Sequence, residues 1–169
     1  MRTDRLMLGL AVAANGILSG ATLDQAIKQL PARDELGAEA FSAYSQASDL
    51  SQGVPWYASI GIGTGVLTVL TVVAGIRAHR PVRVRRSLWV ALVGTIGHLA
   101  VTAIAAPVNF SQRDAATVTE LVDIQDTFAQ LNVARTGLVV IVLLALLVAV
   151  LEQLCEPASE VRSADAAAR

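Results

Sequence analysis

The feature that most limits what this chain can fold into is a set of four long stretches that carry no formal charge: Leu6 to Leu23, Leu50 to Ile76, Ser87 to Gln112 and Thr136 to Leu151. A helix of about 20 residues crosses the roughly 30 Å of bilayer hydrocarbon. The reading is therefore all-α, a four-span transmembrane helix bundle with spans at about 6–23, 55–76, 87–106 and 133–151. The last run is short, but Val133 and Ala134 extend it if Arg135 snorkels or is paired. Composition agrees, with 54% hydrophobic and 16% charged residues against the soluble average of about 25% charged.

The opening MRTDRLMLGLAVAANGILSGATL has the form of a signal peptide, with Arg2 and Arg5 ahead of an apolar run. Asn15 interrupts that run, and we read it as a retained first span. The connection IRAHRPVRVRR holds Arg77, Arg80, Arg83, Arg85 and Arg86, whereas Asp24 to Asp49 and Arg113 to Asp126 are mainly acidic. The positive-inside rule puts the arginine loop in the cytoplasm, most simply against anionic lipid. Both termini then lie inside, and the expected location is a bacterial inner (plasma) membrane.

The two acidic connections should form a helical cap outside, with helices at about 24–30, 35–50 and 112–131. Helical spacing continues through Leu23, Ala26, Ile27 and Leu30 until Pro31 ends it, so helix one is expected to project beyond the bilayer. Leu36, Phe41, Tyr44 and Leu50 then lie near one face before Gly53 and Pro55 reset the chain. Pro107 is expected to break span three, with Ser111 and Asp114 starting the next helix and Val118, Leu121, Phe128 and Leu131 forming its stripe, so that helix four is long. Residues 1–153 thus form one membrane domain, and 154–169 read as a flexible cytoplasmic tail.

Several function classes fall away. Thirteen basic and 14 acidic residues give a net charge of -1, so no overall basicity favours nucleic acid. Cys155 is the sole cysteine, which excludes an intramolecular disulfide or CxxC redox pair. His98 is the only histidine within a span, so two-histidine haem ligation and a metal site are not expected. The glycine pairs Gly16/Gly20, Gly61/Gly63/Gly65 and Gly94/Gly97 sit in apolar helices, where they suit close packing and not a phosphate loop.

Polar residues inside the spans carry the functional signal. Ala91, Gly94, His98, Thr102, Ala105 and Asn109 recur every three or four residues and share one face, opposite Leu92, Ile96, Leu99 and Ala103. Asn15, Ser19 and Thr22 form a similar stripe in span one, as do Thr64, Thr68 and Thr71 in span two. At 1.5 Å per residue, Asn15 and His98 lie about 15 and 18 Å from the cytoplasmic charges of their helices, and Arg135 about 25 Å. One outward-facing pocket follows, with Asn15 and His98 at its floor and Asp24, Asn109, Asn132 and Arg135 near its rim. Arg135 can pair with Asp24 there, or serve a ligand; intramembrane ionisable residues are costly, which favours a function.

Pro107-Val-Asn109 after span three and Asn132-x2-Arg135-Thr136 opening span four, in a four-span chain of this size, resemble the anthrone-oxygenase-like membrane proteins. The resemblance covers most of residues 6 to 151. The family often places tryptophan before the asparagine of the second motif, where this chain has Leu131 and, a turn earlier, Phe128. The resemblance implies an oxidoreductase or monooxygenase that needs no metal, flavin or other cofactor. His98 would be the base, Arg135 with Asn132 or Asn109 the oxyanion partners, and Asn15 and Asp24 further substrate contacts. The alternatives are a noncatalytic membrane subunit or scaffold, as homo-oligomer or in a membrane complex, and a protein that binds lipid or quinone; membrane lipid and a small hydrophobic ligand are the partners in view.

Overall fold

The computed structural model describes residues 3–155. Four long helices account for nearly all of them: α1 (Thr3–Leu36), α2 (Ala38–Arg77), α3 (Val82–Arg113) and α4 (Val118–Leu154), each long and apolar enough to cross a membrane. Their 32 to 40 residues make rods of roughly 48 to 60 Å, well beyond the hydrocarbon thickness. Consecutive helices pack antiparallel, α1 also packs on α4, and the most extensive contact is between α3 and α4. We call the end carrying residues 77–86 the arginine-loop end and the opposite one the far end.

The surface is inverted relative to a water-soluble protein. Val93, Ile96 and Ile104 are 60 to 67% exposed, while Asn15, Thr64, Thr68, His98 and Asn132 are buried. Such a pattern puts apolar side chains against lipid and polar ones against other helices, so the fold is that of an integral membrane protein. Several inward hydroxyls are satisfied locally: the buried Thr64, Thr68 and Thr95 and the part-buried Thr102 each donate to a carbonyl three or four residues earlier at 2.8 to 2.9 Å. Their stripes are thereby compatible with an apolar surrounding. Thr71 also donates to Met7 O at 3.1 Å and Thr136 to Thr22 O at 3.3 Å, so α1 is tied to α2 and to α4.

Three expected breaks do not occur. Pro31 does not end the first helix, because Gln25–Gln29 has π geometry and Leu30 N–H reaches back five residues to Gln25 O. Pro31 then falls in the first turn of Leu30–Leu36, where its missing N–H costs little. Ser48–Gln52 is a second π segment, and it carries α2 through Gly53 and Pro55 in the same way. Pro107 lies inside α3, which stays α-helical to Phe110; only one turn follows, so one hydrogen bond is lost and no kinked continuation is required.

The breaks that do occur have local causes. Gly37, with φ 79° and ψ 158°, separates α1 from α2, a region of backbone space that glycine enters without a Cβ penalty. A side-chain cap at Thr117 starts α4, not Ser111 or Asp114: Thr117 Oγ1 accepts from Glu120 N at 3.2 Å, and Glu120 Oε2 accepts from Ala116 N, just before the cap, at 2.9 Å. Residues 24–30 extend α1 and residues 118–131 extend α4, in keeping with a projecting first helix and a long fourth one, whereas 38–50 runs into α2 without the expected reset. Leu36 and Tyr44, expected on a packed face, are 53% and 47% exposed. The proposed tail at 154–169 lies, beyond Cys155, outside the described residues.

Two apolar cores divide the bundle along its axis. Toward the arginine-loop end, Leu8, Val72, Val84, Leu88, Val142 and Leu146 belong to one cluster. Gly75 and Gly94 admit this packing, since a Cβ there would stand 2.6 Å from Leu88 Cδ1 and 2.8 Å from Val142 Cγ2. Gly16, Gly20, Gly61 and Gly63 have nothing within 4 Å of that position, so the close-packing role expected of them is not theirs. At the far end, Leu30, Phe41, Ala105 and Phe128 form the second cluster. The bundle is left hollow between the two.

Candidate functional site

All four helices contribute to a cavity of about 300 Å³ in that hollow. From α1 come Leu18, Thr22 and Gln25, and from α2 come Asp49, Tyr57 and Gly61. Helix α3 supplies His98, Thr102 and Asn109, and α4 supplies Phe128 and Arg135. Most of the remaining wall is aliphatic or aromatic, as expected of a pocket for a mainly apolar molecule held by a few polar groups.

Helical periodicity explains the convergence. Leu18, Thr22 and Gln25 are spaced by four and three, as are Tyr57, Gly61 and Thr64 on α2, so each set shares one inward face. On α3 the stripe through His98 and Asn109 is buried while Ile96 and Ile104 face out. Gln125, Phe128, Asn132 and Arg135 follow the same rule on α4, and all four are buried.

Arg135 is the centre of the polar network. Its side chain donates to Gln25 Oε1 at 2.7 Å and to Asn132 Oδ1. Gln25 Nε2 in turn donates to Asp49 Oδ2 at 3.2 Å. Among the described residues no carboxylate lies within salt-bridge distance of the guanidinium. Its charge is met by two neutral amides, and through one of them by a carboxylate one step further away. The residue is 8% exposed, and its Nε has no hydrogen-bond partner. A buried cation with spare donor capacity on the wall of an apolar cavity is a ready partner for an anionic or strongly accepting oxygen.

His98 is 4% exposed and also lines the cavity, and its Nδ1 is buried without a hydrogen-bond partner. Asn132, fully buried, leaves Nδ2 unpartnered. Asn109 reaches the cavity wall, where its backbone and side-chain oxygens both accept from Gln112 Nε2. Among the described residues no three His, Cys, Asp or Glu side chains gather as metal ligands would.

Of the residues singled out in the sequence, His98, Arg135 and Asn109 line one cavity, and Asn132 backs it by holding Arg135. Asn15 and Asp24 are placed elsewhere. Asn15 is buried below the cavity and spends its amide on Ala11 O at 2.9 Å. Asp24 points away, accepting from Gln29 Nε2 at 2.8 Å and pairing with Lys28 Nζ at 2.6 Å. The partner of Arg135 on α1 is thus Gln25, its neighbour in sequence. A step of about 100° around the helix separates these two side chains, and extending the stripe Asn15, Ser19, Thr22 by three residues reaches Gln25.

Tyr57 and Asp49 were not singled out either. Tyr57 is found by continuing Thr68, Thr64 and Gly61 back one turn. Asp49 carried no comparable signal, because the π segment Ser48–Gln52 shifts its angular position from that of an ideal helix.

One further polar contact lies far from the cavity. Arg80 Nε donates to Asp4 Oδ2 at 2.6 Å, with the two residues 5% and 7% exposed. The pair fastens the first turn of α1 to the connection between α2 and α3. No family model matches the chain, and no curated protein or solved structure does.

Proposed function

We propose that this membrane protein binds a compact, mainly apolar amphiphile in the cavity between its four helices, with an oxygen of the ligand at Arg135. The observation that carries the reading is the state of that side chain: buried, cationic, unmatched by a contacting carboxylate, and on the wall of a hollow otherwise lined mostly by hydrocarbon. A carboxylate, phenolate, enolate or quinone carbonyl supplies an acceptor for the donor that Arg135 does not spend within the bundle. His98, Asn109 and Tyr57 are the polar groups available to the rest of the molecule.

A catalytic form of the reading follows the resemblance to anthrone-oxygenase-like proteins, and the sharing of one cavity by His98 and Arg135 favours it. His98 would take a proton from the ring carbon of an anthrone, and Arg135 would hold the enolate oxygen. Dioxygen would accept the carbon's electrons, a C–O bond would form, and loss of water would leave the quinone. The lack of a partner at His98 Nδ1 favours binding without turnover, because a general base is ordinarily oriented by a third group.

Binding and turnover are separable in bilayer nanodiscs. Wild-type protein is offered a polyketide anthrone while oxygen uptake is followed, and the corresponding anthraquinone while binding is followed by quenching of protein fluorescence. Arg135→Ala is expected to weaken binding at least tenfold, and His98→Ala to abolish any oxygen uptake while binding persists. Binding without oxygen uptake by the wild type removes the catalytic form and leaves the binding form. Variants that match the wild type in both assays remove the assigned site.

A further inference from the structure

We infer that the cavity is loaded sideways from the bilayer, through the seam between α2 and α3, so that its ligand is a membrane-dissolved amphiphile and not a solute of the aqueous phase. This rests on the binding reading above and adds the route and the phase from which the ligand comes.

The exposure of the lining residues locates the opening. Every lining residue from α1 and α4 is buried, whereas three from the other two helices, Ala58, Ile62 and Leu99, are exposed. Ile62 is 63% and Leu99 38% exposed, and both are apolar. The mouth is therefore a hydrophobic slot on the lipid-facing flank of the bundle. Neither end of the bundle offers a comparable way in. The core of Leu8, Val72, Leu88 and Leu146 fills the arginine-loop side, and that of Leu30, Phe41 and Phe128 closes the far end.

The seam is pinned at two places and open between them. On one side α2 and α3 touch where Leu99 Cδ1 lies 3.4 Å from the position a Cβ on Gly65 would take. On the other, Arg113 donates to Leu50 O and stacks over the Phe110 ring at 5.1 Å. From Leu99 to Phe110 is roughly 16 Å along the helix, enough for a flat ring system or short chain to pass edge-on. Counted from Arg86, this stretch covers roughly 20 to 36 Å, which is the far half of the hydrocarbon and its interface. A ligand lodged there keeps its apolar body at lipid depth and its oxygen at Arg135, the charge that complements it. A cavity of about 300 Å³ sits at the small end of ligand pockets, which suits a compact amphiphile.

The test uses full-length protein in lipid nanodiscs and two photoreactive probes: a diazirine-bearing naphthoic acid that partitions into the bilayer, and a disulfonated form of the same ring that stays in water. Labelled positions are mapped by mass spectrometry. The lipid-soluble probe is expected to label Tyr57 and Thr102 inside the wild-type cavity, and the disulfonate to label neither. Ile62→Trp with Leu99→Trp, which plugs the mouth, is expected to cut interior labelling at least tenfold while Ile96 and Ile104 on the lipid face are labelled as before. Ile62→Ala with Leu99→Ala, which cannot obstruct folding by bulk, is expected to raise the initial rate of interior labelling at least twofold. Interior labelling that neither pair of substitutions changes, or that the disulfonate produces equally, overturns the lateral route and leaves the binding site standing. A wild-type interior that the lipid-soluble probe never reaches overturns the binding reading and the route together.

Discussion

Arg135 and Gln25, 110 positions apart in sequence, meet through a hydrogen bond of 2.7 Å inside the bundle. Gln25 also donates to Asp49, so one neutral amide on α1 joins a cation of α4 to an anion of α2. Direct contact between the two charges would have neutralised the guanidinium and used its donors. Spacing them by an amide keeps the network satisfied enough to be buried and leaves Arg135 able to bind an oxygen from outside the protein.

Gln25→Leu removes that bridge and leaves the buried Arg135 and the part-buried Asp49 each short of a partner, a loss on the order of 1–3 kcal/mol. Thermal unfolding in detergent should show a clear fall in midpoint for this variant. Gln25→Glu is expected to weaken ligand binding, because its carboxylate occupies Arg135, and to give no rise in midpoint, because the same carboxylate loses the donation to Asp49 and stands beside that acid. Asp24→Asn is the control: its ion pair with Lys28 is solvent-exposed and its amide can still accept from Gln29, so no measurable change in midpoint is expected.

Gly94→Ala should lower stability by about 1–3 kcal/mol, since the new methyl meets Val142 on the most extensive helix contact in the bundle. Gly16→Ala, with open space at the same position, should stay within about 0.5 kcal/mol of the wild type. Equal losses for the two would contradict the packing described between α3 and α4.

Gly61→Val tests the cavity without touching a polar group. Gly61 is buried on the cavity wall with nothing near its would-be side chain, so valine has room only by filling the hollow. Stability is expected to hold or rise while anthraquinone binding falls at least tenfold. Unchanged binding would show that the ligand sits elsewhere.

Asp4→Asn should destabilise the fold by about 3 kcal/mol, as expected when one charge of a buried pair is removed and the other is left behind. Exchanging the pair as Asp4→Arg with Arg80→Asp should restore part of the loss, which a double-mutant cycle of unfolding midpoints measures.

The four spans were legible because charge-free length and bilayer thickness leave few alternatives, and the inward face of α3 was legible because His98 and Asn109 obey a simple period. The helix boundaries were not. Pro31 and Pro55 look like terminators when ideal α geometry is assumed, yet a π segment before each lets the rod continue. For the site, charge complementarity pointed to Asp24 as the partner of Arg135, while the angular position of Gln25 decided the outcome. Asp49 depended on a local π register that no residue pattern announced. The arginine-loop connection hid its buried member, since Arg80 is one of five similar side chains and only the fold shows that it meets Asp4.

The most direct measurement is a ligand-bound structure of the protein in lipid nanodiscs with anthraquinone present. The expected result is planar density in the hollow between the two apolar cores, with an oxygen about 3 Å from the Arg135 guanidinium and the ring body extending toward His98. A cavity holding only ordered water, with the quinone absent or bound on the lipid face alone, would contradict the claim that Arg135 is kept unpaired for a ligand.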